Sequence, residues 1–365
     1  MTTPPPPGFG RATARRRAAP LRLALVVPLQ GPAGIFGPSC RACAQLAAEE
    51  CNRGGGVLGR EVRLTLVDGG APPGRVAREV AALVARGEVD GVTGWHLSSV
   101  RKAIAPHVAG RVPYVYAPLY EGGEHTPGVF LAGETPGRQI LPGLRWLARE
   151  RGVRRWCIVG DDYVWPRATA EAARRFVRAV DGTVRDEFFL PLGTEDFERP
   201  VRRVERSGAD AVLMLLVGQD AVGFNRAFAR SGLDGRVLRF SPLMEENMLM
   251  AGSADDTRGL YAAAGYFACL PTAGNLDFNA LYVRRFGPDG PMLNSLGESC
   301  YESIMLFGAL ARRAGGLDPA AFCRVADDVG YDGPRGAVHL RDRHLRQQIY
   351  LAEARGLEFE VVTRL

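Results

Sequence analysis

The chain has 365 residues, 46% of them hydrophobic and 24% charged, and its net charge is +6 at pH 7. This composition is that of an ordinary globular protein with one large domain or two smaller ones. No apolar run approaches the ~20 residues that a membrane-spanning helix needs, so insertion into a bilayer is excluded.

The positive charge is concentrated near the N-terminus. Four arginines, Arg11 and Arg15 to Arg17, share the first twenty residues with the prolines Pro4 to Pro7. Beyond residue 20 acids and arginines are interspersed, which is typical of a solvated surface. No nucleic-acid recognition motif accompanies the charge, so we expect no direct nucleic-acid partner.

The same N-terminal stretch allows two interpretations. The basic run Arg15 to Arg17, followed by the apolar run Leu21 to Leu29, resembles an export signal. The apolar run is short, however, contains Arg22 and Pro28, and also fits the first buried strand of a fold. We therefore predict a disordered tail over residues 1–20 on a cytoplasmic protein, with export as the alternative.

Seven cysteines give an odd count without a paired framework. Cys40 and Cys43 form a C-x-x-C inside an Ala-rich helical pattern, with Cys51 two turns further on, but no histidine at zinc-ligand spacing accompanies them. We predict buried free thiols, which fit a reducing compartment, and expect neither a metal nor a cofactor.

Strand-like apolar runs alternate with helix-period segments along the whole chain. In the first part we predict strands at 22–27, 62–67, 89–93, 114–117 and 129–132, with helices beginning at 38, 76 and 98. From residue 135 the rhythm restarts, with strands at 156–159, 184–190, 211–217, 237–241 and 260–267, and helices at 136–149, 166–180, 197–206 and 221–230. Two late helices (275–285 and 298–313) precede three short strands at 337–340, 347–353 and 359–362.

This order predicts an α/β fold of two doubly wound parallel-sheet lobes, connected by several crossovers, with a ligand cleft between them. We assign residues 21–133 and about 268–330 to the N-terminal lobe. Residues 134–267 and about 331–365 are assigned to the C-terminal lobe, which the late strands would close as an antiparallel hairpin.

The common catalytic and nucleotide-binding motifs are missing or misplaced. Gly54, Gly56 and Gly59 satisfy G-x-G-x-x-G, but they follow a helix and precede a strand, the reverse of the dinucleotide-binding order. No phosphate-binding G-K-S/T, H-E-x-x-H or G-x-S-x-G occurs. Asp161 and Asp162 offer two acids, but adjacent residues on a turn seldom converge on one substrate atom. We predict that the protein is not an enzyme.

Aromatic and hydroxyl side chains follow three of the predicted strands. Trp95, His96 and Ser98 come after the third strand, Tyr116 and Pro118 after the fourth, and Tyr163 and Trp165 after the first strand of the second half. The carboxyl ends of parallel strands are where open α/β sheets bind ligands. Ser98 also begins a helix, where capping and ligand contact are equally good explanations of a serine. We predict an aromatic-lined cleft for a small polar ligand.

These residues also carry a family resemblance. The segments G-G-G-V-L-G-R, G-W-H-L-S-S-V-R-K-A, Y-E-G-G-E-H-T-P, G-D-D-Y-V-W-P-R and G-Y-F-A-C-L-P-T begin at residues 54, 94, 120, 160 and 265. In this order they resemble type I periplasmic binding proteins, the family of receptors for branched-chain amino acids, urea and short-chain amides. The Y-E-G and D-Y-x-x-P-R segments resemble its cytoplasmic amide-sensor and urea-receptor branch.

The resemblance implies roles for single residues. Ser98 and Tyr163 match positions that contact ligand in relatives, Trp165 matches a position that is often aromatic, and Tyr116 resembles a pocket tyrosine. Trp95 and His96 lie where relatives carry aromatic residues. Pro118 stands where relatives have a threonine hydroxyl, which argues against acetamide-like specificity. Glu246, or its neighbour Glu245, matches the acid that holds a ligand ammonium group.

The resemblance further implies a non-enzymatic binding protein that closes by hinge motion around a small amide, urea or amino acid. We expect a cytoplasmic ligand sensor that acts on a regulatory, antiterminator-like protein partner. The alternative is the exported substrate-binding component of an ABC importer, whose partner is the permease. A homodimer is a further alternative for the partner.

Overall fold

The computed structural model describes residues 19–365, so the Pro- and Arg-rich tail predicted for residues 1–20 lies almost entirely outside the described residues. Fifteen strands are formed by the described residues: β1 (Leu21–Val27), β2 (Val62–Asp68), β3 (Gly91–Gly94), β4 (Tyr114–Tyr116), β5 (Val129–Leu131), β6 (Arg155–Asp161), β7 (Thr183–Leu190), β8 (Ala211–Leu215), β9 (Leu238–Ser241), β10 (Leu260–Ala264), β11 (Gly330–Gly333), β12 (Gly336–Arg341), β13 (His344–Arg346), β14 (Tyr350–Arg355) and β15 (Glu358–Arg364).

Eleven α-helices lie among the described residues: α1 (Gly37–Arg53), α2 (Pro73–Ala85), α3 (Ser98–Val108), α4 (Pro136–Glu150), α5 (Val164–Arg178), α6 (Glu198–Ser207), α7 (Gln219–Arg230), α8 (Glu246–Ala251), α9 (Ala273–Phe286), α10 (Ser295–Ala314) and α11 (Pro319–Val325). None of the helices within residues 19–365 combines the length and apolar character that a membrane crossing requires.

Two sheets form two α/β lobes, which confirms the predicted fold class. The first sheet has the strand order β11-β12-β13-β5-β4-β3-β1-β2, and the second has the order β15-β14-β10-β9-β8-β6-β7. In each sheet the strands that come earlier in the chain pair in parallel, as β1 does with β2 and β6 with β8. The strands that come last add an antiparallel edge. Both sheets are therefore mixed, with a parallel centre covered by helices.

The central strands are mostly apolar because helices cover both of their faces. Leu21 to Val27 in β1 is buried except for Arg22, and its register places Leu25 beside Leu66 of β2. In the second lobe Trp156 to Asp161 of β6 is buried without interruption. Such strands read as continuous apolar runs rather than as alternating patterns, which is why the sequence locates them well.

The chain passes between the lobes three times. We call these passages the first crossing (132–135), the second crossing (265–272) and the third crossing (347–349). Glu134 in the first crossing accepts a hydrogen bond of 2.7 Å from the backbone N–H of Gly265 in the second. Arg335 donates to Gln347 of the third crossing over 2.9 Å and lies 3.6 Å from Glu134. The three crossings are thus joined to one another by polar contacts.

The structure corrects one boundary of the predicted lobes. Residues 331–346 were expected in the C-terminal lobe, but β11, β12 and β13 belong to the first sheet, where His344 pairs with Leu131 of β5. Only β14 and β15 form the antiparallel hairpin on the second sheet. The third crossing therefore follows Arg346 instead of residue 330.

Candidate functional site

The first wall of the interlobe cleft is built where β3 leads into α3. Leu97 precedes the helix, and its apolar side chain accepts no hydrogen bond. No N-cap side chain therefore caps the N–H groups of the first turn. The Ser98 hydroxyl lies at the helix start, 3.5 Å from the Tyr116 hydroxyl at the end of β4. Tyr116 donates a hydrogen bond of 2.7 Å to the carbonyl oxygen of His96, which fixes its ring in place.

A buried ion cluster supports this wall from behind. Arg101, one turn after Ser98, donates to Glu124 over 3.0 Å and to Glu121 over 2.8 Å. Its guanidinium group also stacks over the rings of Tyr116 and Tyr120, 4.9 and 5.2 Å from their centres. Burial alone would raise the pKa of Glu121, but the charge of Arg101 brings it below its ordinary value, so this carboxylate stays ionised.

The second wall comes from the other lobe, where β6 leads into α5. Tyr163 occupies the position before the helix and, like Leu97, forms no side-chain cap. Its ring lies 6.3 Å from that of Trp165, whose side chain is buried. At two helix starts, one from each lobe, the backbone N–H groups therefore have no side-chain cap and can act as hydrogen-bond donors.

The two walls face each other because α3 packs against α5. The pKa of the Tyr163 hydroxyl is raised far above its ordinary value, first by burial and then by the negative charge of Asp161 and by Tyr116 and Glu121 of the opposite lobe. Together with the contact between α3 and α5, this places Tyr163 close to the first wall. The lobes are closed over these residues.

Two further contacts hold the lobes together at the mouth of the cleft. The Asn247 amide, in α8 of the second lobe, donates a hydrogen bond of 3.0 Å to the carbonyl oxygen of Ile35 in the first lobe. The loop at Gly218, which precedes α7, lies against the backbone of Pro32. Closure in this structure therefore brings backbone, and not only side chains, into contact.

The structure groups four of the predicted site residues: Ser98, Tyr116, Tyr163 and Trp165. Trp95 and His96 have other partners, although they precede Ser98 directly. The Trp95 ring packs on Phe36 at 4.9 Å, with its indole N–H buried and unpartnered among the described residues. Both ring nitrogens of His96 are engaged, one with the carbonyl oxygen of Val26 and one with the Tyr114 hydroxyl.

The contacts of His96 give it a structural role. It is fully buried, and this burial lowers its pKa to about 3, so its ring is neutral at physiological pH. A neutral ring with both nitrogens occupied has no free donor or acceptor to offer a solute.

Pro118 and Glu246 lie towards the crossings. Pro118 is buried, and its backbone runs against Gly133 of the first crossing. Glu246 accepts a hydrogen bond of 2.8 Å from the backbone N–H of Ala268 in the second crossing, while its other carboxylate oxygen is buried without a partner among the described residues. Glu245 beside it accepts from the N–H of Ser295 at the start of α10, over 2.8 Å.

The two adjacent acids of the sequence point in different directions. Asp161 is fully buried and accepts a hydrogen bond of 2.8 Å from the N–H of Val217, whereas Asp162 is exposed and pairs with Arg167 at 2.5 Å. They cannot act as an acid–base pair on one substrate atom, as their spacing already indicated.

Sequence reasoning missed Arg101 and Glu121 as components of this wall. A helical period would have placed Arg101 on the same face as Ser98, and Glu121 lies within the Y-E-G segment. What the sequence did not indicate is that both side chains are buried, at 1% and 4% exposure.

The arrangement is suited to holding a solute. Hydroxyl groups and uncapped N–H groups from both lobes can donate hydrogen bonds to a carbonyl or carboxylate, and Trp165 with Tyr163 can cover an apolar body. Within residues 19–365 no nucleophile with an adjacent base accompanies them. The fold and the site together define a bilobal solute-binding protein.

The chain belongs to the periplasmic binding protein family, which it matches over residues 20–357. Among curated relatives, the Leu/Ile/Val-binding protein homolog 6 of Brucella melitensis is 25% identical over 362 residues, covering 94% of this chain and 90% of the relative. Members of this family are binding proteins and not enzymes, in agreement with the prediction from the sequence.

Solved structures share the fold across almost the whole chain. A solute-binding protein of an ABC transporter from Rhodopseudomonas palustris BisB5, in complex with 3,4-dihydroxybenzoic acid, superposes with a TM-score of 0.81 at 21% identity and covers 94% of this chain and 97% of its own. The branched-chain amino acid transporter substrate-binding protein LivJ from Streptococcus pneumoniae, in complex with isoleucine, has a TM-score of 0.82 at 16% identity, with 95% and 100% covered.

Proposed function

We propose that this protein is the solute-binding component of an ABC importer and that its ligand is a small organic acid with an apolar body. The observation that carries the proposal is the pair of uncapped helix starts, at Ser98 and Tyr163, that meet across the cleft. Helix N-termini favour negative charge because their free N–H groups and the helix dipole point towards it. A ligand carboxylate would use both walls at once and favour the closed state.

Two groups of relatives support this ligand class. By their names, one group binds leucine, isoleucine or valine, and another binds hydroxylated benzoates. Both kinds of molecule carry one carboxylate on an apolar body. Pro118 stands where the resemblance places a threonine hydroxyl in the amide sensor and in amino acid receptors, which argues against an acetamide-like ligand.

Glu246 separates the two candidate kinds of acid. An amino acid carries an ammonium group that needs a carboxylate partner, and one oxygen of the buried Glu246 carboxylate has no partner among the described residues. A benzoate has no such requirement. Dependence of binding on Glu246 would therefore favour an amino acid.

The test is a thermal-unfolding screen of the full chain with three sets of compounds: leucine, isoleucine and valine; benzoate with its hydroxylated forms; and acetamide with urea. We expect a saturable rise in melting temperature with one of the first two sets, confirmed by calorimetric titration. A rise with acetamide or urea alone, or no saturable rise with any compound, would contradict the proposed ligand class.

The importer proposal replaces the cytoplasmic sensor as the better supported reading, because the relatives are named as receptors of transporters. It brings with it the alternative localisation, export from the cytoplasm, and a permease as the protein partner. Fractionation of cells that express the chain with a C-terminal tag tests this directly. Recovery of the tagged protein in the cytoplasm alone would favour a sensor.

A further inference from the structure

A cavity of about 390 Å³ lies where the three crossings meet, and it shares no residue with the walls around Ser98 and Tyr163. The second and third crossings contribute to its lining, since Thr272 ends the second and Gln347 and Gln348 belong to the third. Arg138, in α4 just after the first crossing, also borders it. We call it the hinge cavity. It is therefore lined by the segments that any motion between the lobes must bend.

Arginine side chains dominate the lining of the hinge cavity. Arg138, Arg346 and Arg364 all border it, and none of them forms an ion pair with a carboxylate of residues 19–365. Other arginines do form such pairs, for example Arg155 with Asp210. The fourth arginine, Arg335, is different because it is buried and neutralised by Glu298.

The strand registers direct further polar groups to the same place. His339 of β12 lies directly opposite Arg346 of β13, and Tyr350 of β14 lies opposite Arg364 of β15. Residues directly opposite in an antiparallel pair project from the same face of the sheet. The hinge cavity thus combines three uncompensated positive charges with the imidazole and hydroxyl groups of His339 and Tyr350.

Arg138 and Arg346 approach one another here, and neither forms an ion pair with a carboxylate of the described residues. The pKa of Arg138 lies below its ordinary value, first because of burial and then because of the charge of Arg346. Such crowding costs free energy unless a counter-charge is present. Arg138 and Arg364 are exposed and Arg346 is half-buried, and all three border the same open, concave space.

We propose that the hinge cavity binds a small multivalent oxyanion, such as inorganic phosphate or a phosphate monoester, between arginines of both lobes. Guanidinium groups match the oxygen geometry of phosphate with paired N–H donors, and the bond is strengthened by charge on both sides. Arg138 and Arg364 belong to elements of the second lobe, whereas Arg346 ends the last strand of the first. The bound anion links the two lobes at their hinge.

This inference goes beyond the proposed function, since it concerns a second ligand away from the solute cleft. An anion that contacts both lobes stabilises the arrangement in which its arginines converge, and so it shifts the balance between closed and open forms. By linkage, the solute in the cleft and the anion at the hinge then change each other's affinity by the same factor.

The experiment is a calorimetric titration of the full chain with sodium phosphate and with sodium sulfate, at an ionic strength held constant with sodium chloride. We expect saturable binding of phosphate. Arg138→Gln and Arg364→Gln each remove an exposed guanidinium and should weaken phosphate binding about ten-fold or more, the usual loss for a charge-assisted hydrogen bond. The matched control is Arg145→Gln, an exposed arginine two turns further along α4, which should bind as the unmodified chain does.

Three results would overturn the proposal: no saturable heat with phosphate or sulfate, unchanged affinity in both Arg138→Gln and Arg364→Gln, or an equal effect from chloride. A Tyr163→Phe variant separates the two sites, because it alters the solute cleft only and should keep phosphate binding. Loss of phosphate binding in Tyr163→Phe would place the anion in the solute cleft and also contradict the proposal, whereas failure of the organic-acid screen leaves the hinge cavity unaffected.

Discussion

Gly218 of the second lobe lies so close to the carbonyl group of Pro32 in the first lobe that a Cβ atom on Gly218 would collide with it. The residue also has φ +55°, a conformation that glycine adopts at little cost. The closed form of the protein therefore depends on the absence of a side chain at this one position.

We predict that Gly218→Ala weakens binding of the solute found in the screen by about ten-fold or more, because the alanine methyl group opposes closure and closure is what completes the site. The measurement is the solute-induced rise in melting temperature. Gly208→Ala is the control: Gly208 also has positive φ, at +63°, but no atom lies within 4 Å of its added Cβ. Equal solute-induced rises in both variants would show that the Gly218–Pro32 contact does not matter for binding.

Tyr163 gives the second prediction. Tyr163→Phe removes a hydroxyl on a half-buried side chain that faces the opposite lobe and should lower solute affinity by about ten-fold, while Tyr163→Ala should abolish the solute-induced rise in melting temperature. Both variants should unfold cooperatively without solute. Tyr282→Phe is the matched control, since its hydroxyl donates to Pro291 in the first lobe, over 2.8 Å. Unchanged affinity in Tyr163→Ala would mean that the cleft lies elsewhere.

The ion cluster behind the first wall leads to a prediction about stability. Arg101→Met leaves Glu121 and Glu124 without their buried counter-charge and should lower the free energy of unfolding by about 3–5 kcal/mol. Its neighbour Lys102 also pairs with Glu121, at 3.3 Å, but its side chain is 51% exposed. Lys102→Met should therefore cost less than about 1 kcal/mol. Urea unfolding of the two variants gives both values, and similar losses would contradict the buried role of Arg101.

The buried acids predict an unusual pH dependence. Burial raises the pKa of Glu246 to about 7 from the ordinary value of 4.5, so the folded protein holds a proton in this range that the unfolded chain has released. The stability that this group contributes is complete below about pH 4.5 and is lost as the pH rises through 7. The shift corresponds to about 3 kcal/mol. Burial and the nearby Glu246 also raise the pKa of Glu245, so its contribution has the same sign.

Denaturant unfolding between pH 5 and pH 8 measures this effect. We expect the free energy of unfolding to fall with pH, and Glu246→Gln to flatten the curve because its side chain has no charge to bury. Glu171→Gln, at an exposed helix position, should leave the slope unchanged. A slope that is identical in the unmodified chain and in Glu246→Gln would rule out Glu246 as its source.

Much of the fold could be predicted because local pattern and tertiary environment agree. Apart from Arg22, the run at 22–27 is apolar because helices cover both faces of β1, and its short length favours a strand over a helix. The lobe to which β11, β12 and β13 belong was not predictable in this way. It depends on the pairing of His344 with Leu131, more than 200 residues earlier, and local sequence carries no record of that contact.

The candidate site was predictable to the extent that strand ends define it. Ser98 and Tyr163 follow strands and begin helices, and both lie at the cleft. Arg101 was missed because an arginine in a helix normally faces water, and only the fold brings Glu121 and Glu124 to it. Trp95 and His96 were grouped with Ser98 by proximity in sequence, but successive side chains in the loop project in different directions, and these two enter the protein interior.

The order of the strands has a consequence for folding during synthesis on the ribosome. Strands β11 to β13, which complete the first sheet, and β14 with β15, which complete the second, all come from the last 36 residues. Neither sheet has its full set of strands until β11 to β15 have been synthesised, so the nascent chain carries two sheets with open edges up to that point. Such edges pair readily with other chains. We therefore expect the partly synthesised chain to aggregate more readily than a protein of equal size whose domains follow one another in sequence.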